Sequence, residues 1–189
     1  GCACFYGYDI EPRTESGLNL IKSSACLGDK DAQRLLFNIY DADEDFIDKT
    51  QALFWLEKIA SYDTSVVVDL EYRYVCGIGC EQSPENDKKA FNLLSLLENS
   101  DDRTAINNLA WLYKEGRGCE VNYCKAKELF ERAAEMDCIA SYFHLGTMYE
   151  EGLGIDIDLS LAKEMYKIAA EEGLGVDVVS GGELYTAIK

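Results

Sequence analysis

Cys76 and Cys80 bracket one glycine turn, and Cys119 and Cys124 follow the equivalent turn of the next stretch of sequence. Four thiolates are the donor set of a tetrahedral zinc site, provided every sulfur reaches one metal at about 2.3 Å. Matched points on neighbouring helical repeats stand about 10 Å apart, a helix-packing distance, which works against that convergence. A local disulfide and free thiols that fill small volumes are the other two readings of these four. The pair in Cys2-Ala3-Cys4 is too short a pattern to interpret. Asp41-x-Asp43-x-Asp45 has the first three acidic spacings of a calcium loop. Phe46 stands where that loop needs glycine and Ala52 where it needs glutamate, so a solvated acidic loop is expected. His144 is the sole histidine, and any Cys–His or Ser–His–Asp set would have to use it. It falls inside a helical pattern that already accounts for it, as a packing or surface residue. The Gly-x-Gly pairs lack the lysine of a phosphate loop. The reading assigns no catalytic residue, no metal and no cofactor.

Which elements would position these residues follows from the rest of the chain. Its 189 residues fit one domain or a short repeat array, and 48% hydrophobic with 28% charged residues is a globular composition. The richest apolar stretch, Leu93 to Leu97, is interrupted by Ser95 and is far too short to span a membrane. Thirty-five acidic against 18 basic residues give a net charge of −17, spread along the chain. Nucleic acid and anionic membrane repel such a surface, and a basic protein is the partner it favours. The sequence starts Gly1-Cys2, which is also what remains around a lipoprotein cleavage site, and it shows no basic start followed by an apolar core. A cytoplasmic location is expected, with the periplasm or a lipoprotein as the alternative.

Self-comparison at an offset of 36 residues is the strongest signal. Leu109-Ala110 falls on Leu145-Gly146, Tyr113 on Tyr149, Gly116-Arg117-Gly118 on Gly152-Leu153-Gly154, and Ala133-Ala134-Glu135 on Ala169-Ala170-Glu171. Fainter copies precede them: Leu70, Tyr74 and Gly77-Ile78-Gly79, then Lys89-Ala90 and Leu94 after a longer loop containing Pro84. Before these, Ala32, Leu36 and Tyr40 lead to Ala52, Trp55 and Leu56, with Asp41 to Asp45 in place of the glycine turn. Each unit reads as two antiparallel helices. The first carries Ala105, Leu109, Ala110 and Tyr113 on one face, the second Ala126, Leu129, Phe130, Ala133 and Ala134. One pair cannot bury both its faces, so stacking must complete the core. The expectation is an all-α, right-handed α/α superhelix (solenoid) of about four helix pairs. It forms a single domain, 1–189, with a partial repeat 14–28, a degenerate repeat 29–62, repeats 64–99, 101–137 and 138–173, and a degenerate cap 174–189.

These residues make the sequence similar to the Sel-like repeat family, α/α solenoids related to tetratricopeptide repeats. The family pattern is roughly A-x-x-x-L-G-x-x-Y-x-x-G-x-G, then K-A-x-x-x-[YF]-x-x-A-A-x-x-G. Residues 141–173 carry Leu145-Gly146, Tyr149, Gly152, Gly154, Ala162, Tyr166, Ala169-Ala170 and Gly173 of it. The resemblance implies a non-enzymatic adaptor that binds other proteins. A secreted branch of the family staples each helix pair with two cysteines eight residues apart. The corresponding positions here are Ala134 with Tyr142 and Ala25 with Gln33, a departure that favours a reducing compartment.

If Leu109 and Tyr113 face the stack, Asn107, Trp111 and Lys114 point into a concave groove. The same offsets give Phe143, Thr147 and Glu150 in the following repeat, Val68, Tyr72 and Val75 in the preceding one, and Arg34, Asn38 and Asp41 before that. Tyr72, Trp111 and Phe143 are then the aromatic anchors of a protein interface, unless they fill space between neighbouring first helices. The expected partner is a basic protein, with no nucleic acid and no membrane insertion, and the chain is a monomer or a dimer. Two further readings stand beside this one: an immunity protein neutralising a secreted bacterial toxin, and an enzyme or small-ligand-binding protein.

Overall fold

The structure, a computed structural model, describes residues 15–171. Cys2, Cys4, the Gly1 start and the proposed cap 174–189 lie outside these. The described residues are all helix and turn, and the chain divides into two compact units between Ser83 and Pro84. The first unit holds α1 (Glu15–Cys26), α2 (Lys30–Ala42), α3 (Lys49–Ala60), a 3-10 turn (Thr64–Val66) and α4 (Val67–Cys76). The second holds α5 (Pro84–Ser95), α6 (Arg103–Glu115), α7 (Tyr123–Glu135), α8 (Ile139–Glu151) and α9 (Leu159–Glu171).

Aspartates start four of these helices. Asp29, Asp48, Asp102 and Asp158 each accept two backbone N–H groups of the first turn of α2, α3, α6 and α9, and Asn122 caps α7. These bonds satisfy donors that have no partner inside the helix, and the negative charge suits the positive helix end. A share of the acidic surplus is therefore local helix chemistry. Pro84 is the first residue of α5 rather than part of the loop before it. A helix's first N–H has no intrahelical partner, so proline costs nothing there and its fixed φ fits.

Gly77, Gly116 and Gly152 end α4, α6 and α8 in the left-handed conformation, with φ of 73°, 67° and 70°. The second glycine of each turn has another task. A Cβ on Gly79 would overlap the Lys49 backbone at the start of α3, and one on Gly118 the Asp87 backbone in α5. On Gly154 it would lie 2.5 Å from Tyr123 Cβ, at the start of α7. Each turn thus rests on the first part of an earlier helix, backbone against backbone for Gly79 and Gly118 and against a side-chain Cβ for Gly154.

Helices α6 and α7 are antiparallel: Asn122 N–H donates to Tyr113 O at one end, while Arg103 reaches the Met136 and Asp137 carbonyls at the other. α2 and α3 pair in the same way through Asp48 N–H to Tyr40 O and the Arg34–Asp63 ion pair. The core of the first unit gathers Leu18, Ile21, Leu36, Ile39, Ala52 and Trp55. That of the second includes Leu94, Ile106, Leu109, Leu112, Phe130 and Met148, all without exposed surface. Ile106 and Leu112 flank Leu109 on either side and widen the expected Ala105–Leu109–Ala110 face of α6, because α5, α7 and α8 all pack against this helix.

Candidate functional site

The predicted stripe is best followed within each unit. In the second, α6 and α8 supply it. Trp111 is half-buried, and the Arg117 guanidinium lies 5.5 Å from its ring centroid. Arg117 is itself held by Asp87 at 2.5 Å, so the indole is backed by a fixed cation. Lys114 pairs with Glu115 at 3.0 Å and keeps little of its side chain exposed. Phe143 is half-buried, its ring 5.7 Å from that of Tyr166. Thr147 donates to the His144 carbonyl, and exposed Glu150 accepts the Tyr166 hydroxyl at 2.6 Å.

Asn107 departs from the expectation. It is buried, at 7% exposure, and accepts a hydrogen bond from the Ser141 hydroxyl at 2.8 Å. The N-terminal part of the stripe runs beneath α8, so this amide joins neighbouring repeats and is removed from the accessible face. An isolated helix pattern carries no sign of that cover.

In the first unit, Arg34 is exposed and paired with Asp63, Asn38 is exposed, and Val68 is half-buried. Asp41 is engaged inside the fold. Its carboxylate meets Arg73 at 2.8 Å and Lys49 at 2.9 Å, and Arg73 holds its pKa below the ordinary carboxylate value. Lys49 also donates to the Asp41 carbonyl, and Asp43 caps the end of α2. Glu44 and Asp45 are exposed, as expected of a solvated acidic loop, while Asp41 at its start is tied into the fold by these ion pairs. Tyr72, 55% exposed, is an open aromatic of this unit, as is Phe54, and its neighbour is the Cys76 thiol.

The candidate chemical residues find other roles. His144 stacks on Phe130 at 4.8 Å, and burial pushes its pKa down to about 4, so it is a neutral packing residue at pH 7. Cys80 and Cys119 occupy matched positions, and their thiols donate to the carbonyls of Arg73 and Leu112, seven residues back. Those carbonyls also take the N–H groups of the helix-ending glycines. Burial raises the Cys119 pKa, which suits an inert thiol. Cys26, Cys76, Cys124 and Cys138 are free thiols too. Among the described residues no three metal-binding side chains come together. No helix among them is long and apolar enough to cross a membrane.

The repeat geometry has a counterpart in known sequences. The Sel1 repeat matches residues 31–61, 72–99, 104–138 and 139–174. The chain belongs to the Sel1 repeat family. Its all-α fold is the helical solenoid of Sel1 proteins, which generally act as protein–protein interaction modules and typically as non-enzymatic scaffolds. A Sel1 repeat protein from Oxalobacter formigenes is similar over 82% of this chain, with a TM-score of 0.63 and 22% identity. The protective antigen c5321 of uropathogenic Escherichia coli, which displays an SLR fold, is similar over 82% of this chain, with a TM-score of 0.66 and 30% identity. This chain covers 63% of the first and 33% of the second. No curated protein matches the sequence.

Two features of this Sel1 chain escaped the sequence reading. One is the cap role of its aspartates, whose signal was an Asp or Asn just before several of the apolar-periodic runs. The other is a pocket among α7, α8 and α9, whose lining joins the pattern residues Leu145 and Tyr149 to Glu135 and Met165, which the pattern leaves open.

Proposed function

We propose that this chain is a protein-binding module that captures a basic partner, using in its second unit the face formed by α6 and α8. The observation that carries the reading is Trp111, half-exposed and held by the Arg117–Asp87 pair. A large aromatic that is ordered before binding loses little freedom on contact, and such residues dominate interface energetics. Phe143, Thr147 and Glu150 continue the face on α8. The net charge of −17 steers a basic partner and selects its orientation. A reducing, cytoplasmic setting accords with the thiol state of the described cysteines. The immunity reading is a narrower case in which the basic partner is a secreted toxin. It draws on the same charge, and rescue of growth in cells expressing that toxin tests it.

The deciding experiment is affinity measurement with a partner recovered from the source cell and then purified. Binding should weaken steadily from 50 to 500 mM salt, and Trp111→Ala should lower affinity about tenfold or more. A complex indifferent to salt overturns the basic partner, and one indifferent to Trp111 overturns the face.

A further inference from the structure

On another side of the second unit, α7, α8 and α9 line an open pocket of about 460 Å³, a volume ordinary for ligand sites. Tyr142 and Tyr149 come from α8, Leu161 and Met165 from α9, and Glu131 and Glu135 from α7, with no lysine or arginine in the lining. The Tyr142 hydroxyl donates to the Ala134 carbonyl at 3.3 Å, which fixes that ring. Glu131 pairs with Lys127 one turn back on its own helix. Glu135 is exposed and makes no ion pair among the described residues. Aromatic faces, an adaptable thioether and carboxylates suit a side chain with an apolar stem and a cationic end.

Of the two natural cations of that shape, arginine fits better. Its planar guanidinium stacks flat on a ring and can meet a carboxylate with two parallel N–H groups; an ammonium also sits over rings, as Lys30 does 4.6 Å from the Tyr62 centroid, but it has no planar fork. This chain sets two of its own arginines over rings with carboxylates beside them. Arg117 lies 5.5 Å from the Trp111 centroid and 2.5 Å from Asp87. Arg73 lies 5.2 Å from the Phe37 centroid, with Asp41 at 2.8 Å and Asp69 at 3.0 Å. We propose that the α7–α9 pocket is a docking site for an arginine side chain presented by a partner protein. The assignment rests on the protein-binding reading and adds a second contact point, apart from the α6–α8 face.

The test uses the whole chain labelled with [methyl-13C]methionine. Its three methionines are Met136, Met148 and Met165, of which Met165 lines the pocket and Met148 is fully buried. Nα-acetyl-arginine N-methylamide should move the Met165 methyl resonance saturably and leave the other two in place. The norleucine analogue, with an apolar stem and no charge, should not move it, and the lysine analogue should bind several-fold more weakly. Glu135→Gln, an exposed and fold-neutral change, should weaken the arginine probe about fivefold, and Tyr149→Ala should abolish its effect. A silent Met165, an equal response to norleucine, an equal affinity for the lysine analogue, or a uniform drift of all three methyls overturns the assignment. No partner enters this titration. A silent Met165 therefore leaves the Trp111 and salt measurements standing, and their failure leaves a saturable Met165 response intact.

Discussion

The Gln33 side-chain amide donates to the Ala25 carbonyl at 3.1 Å, bridging two positions eight residues apart. Tyr142 and Ala134 repeat the arrangement at 3.3 Å. These are the two position pairs that a cysteine-stapled Sel1 repeat fills with disulfides, so a polar bond stands here where a covalent one would. Ala25 and Gln33 are both buried, and the oxygen of the Gln33 amide, Oε1, has no partner. Ala25→Cys combined with Gln33→Cys should therefore cross-link under mild oxidation. The oxidised form should gain about 2 kcal/mol over the reduced one, since the bond restrains the unfolded chain. Mass spectrometry and urea unfolding with and without reductant check this. A pair that stays reduced would show that the two positions are not apposed.

Glycines differ in what they would cost to replace. Gly28 has a φ of 93° with nothing near a would-be Cβ, whereas Gly118 combines a φ of 74° with the Asp87 backbone. Gly28→Ala should cost about 1 kcal/mol from backbone strain alone. Gly118→Ala should cost about 3 kcal/mol or more, because backbone must also move. Equal losses in urea unfolding would contradict the close approach.

Ion pairs should likewise separate by burial. Asp41→Asn leaves Arg73, with 8% of its side chain exposed, short of one carboxylate. The loss should be about 2 kcal/mol. Arg34→Ala removes an exposed partner of Asp63 and should change stability by less than about 1 kcal/mol. Thermal melts at low and high salt distinguish the two, since only the second pair is open to screening.

His144 predicts a pH dependence of definite sign. Its folded pKa of about 4 lies below the ordinary 6.5. Between those values the unfolded chain binds a proton that the folded chain refuses. The contribution is complete above pH 6.5 and declines as pH falls toward 4, by roughly 2 kcal/mol. His144→Phe should flatten urea stability between pH 6.5 and 4.5. Below that window Asp63, held at about 2, and the lowered Asp41 lose their contribution as pH falls below 3.8, in parent and variant alike. A variant as steep as the parent between 6.5 and 4.5 would remove His144 from the account.

Helix pairing was legible because the repeat places Leu109 on Leu145 and Gly116 on Gly152, and the same packing and the same left-handed stop follow. Asn107 was not, because its cover is Ser141 of the next repeat, and no local pattern on α6 records that contact. Pro84 was placed in the loop before Lys89-Ala90, yet the opening of a helix is where proline is tolerated. Asp41 looked solvated because Arg73, its main partner, lies a full repeat away. The α7–α9 pocket depends on side chains from three helices, and the pattern residues in it, Leu145 and Tyr149, read in the sequence only as core.

Gly79 and Gly118 seat their turns on bare main chain. The stride from one module to the next is therefore metered by peptide groups, which every sequence shares, and owes little to what the outward-facing positions contain. Those positions are free to drift toward a new target without disturbing the ladder that displays them, so a common scaffold can serve unrelated recognition tasks.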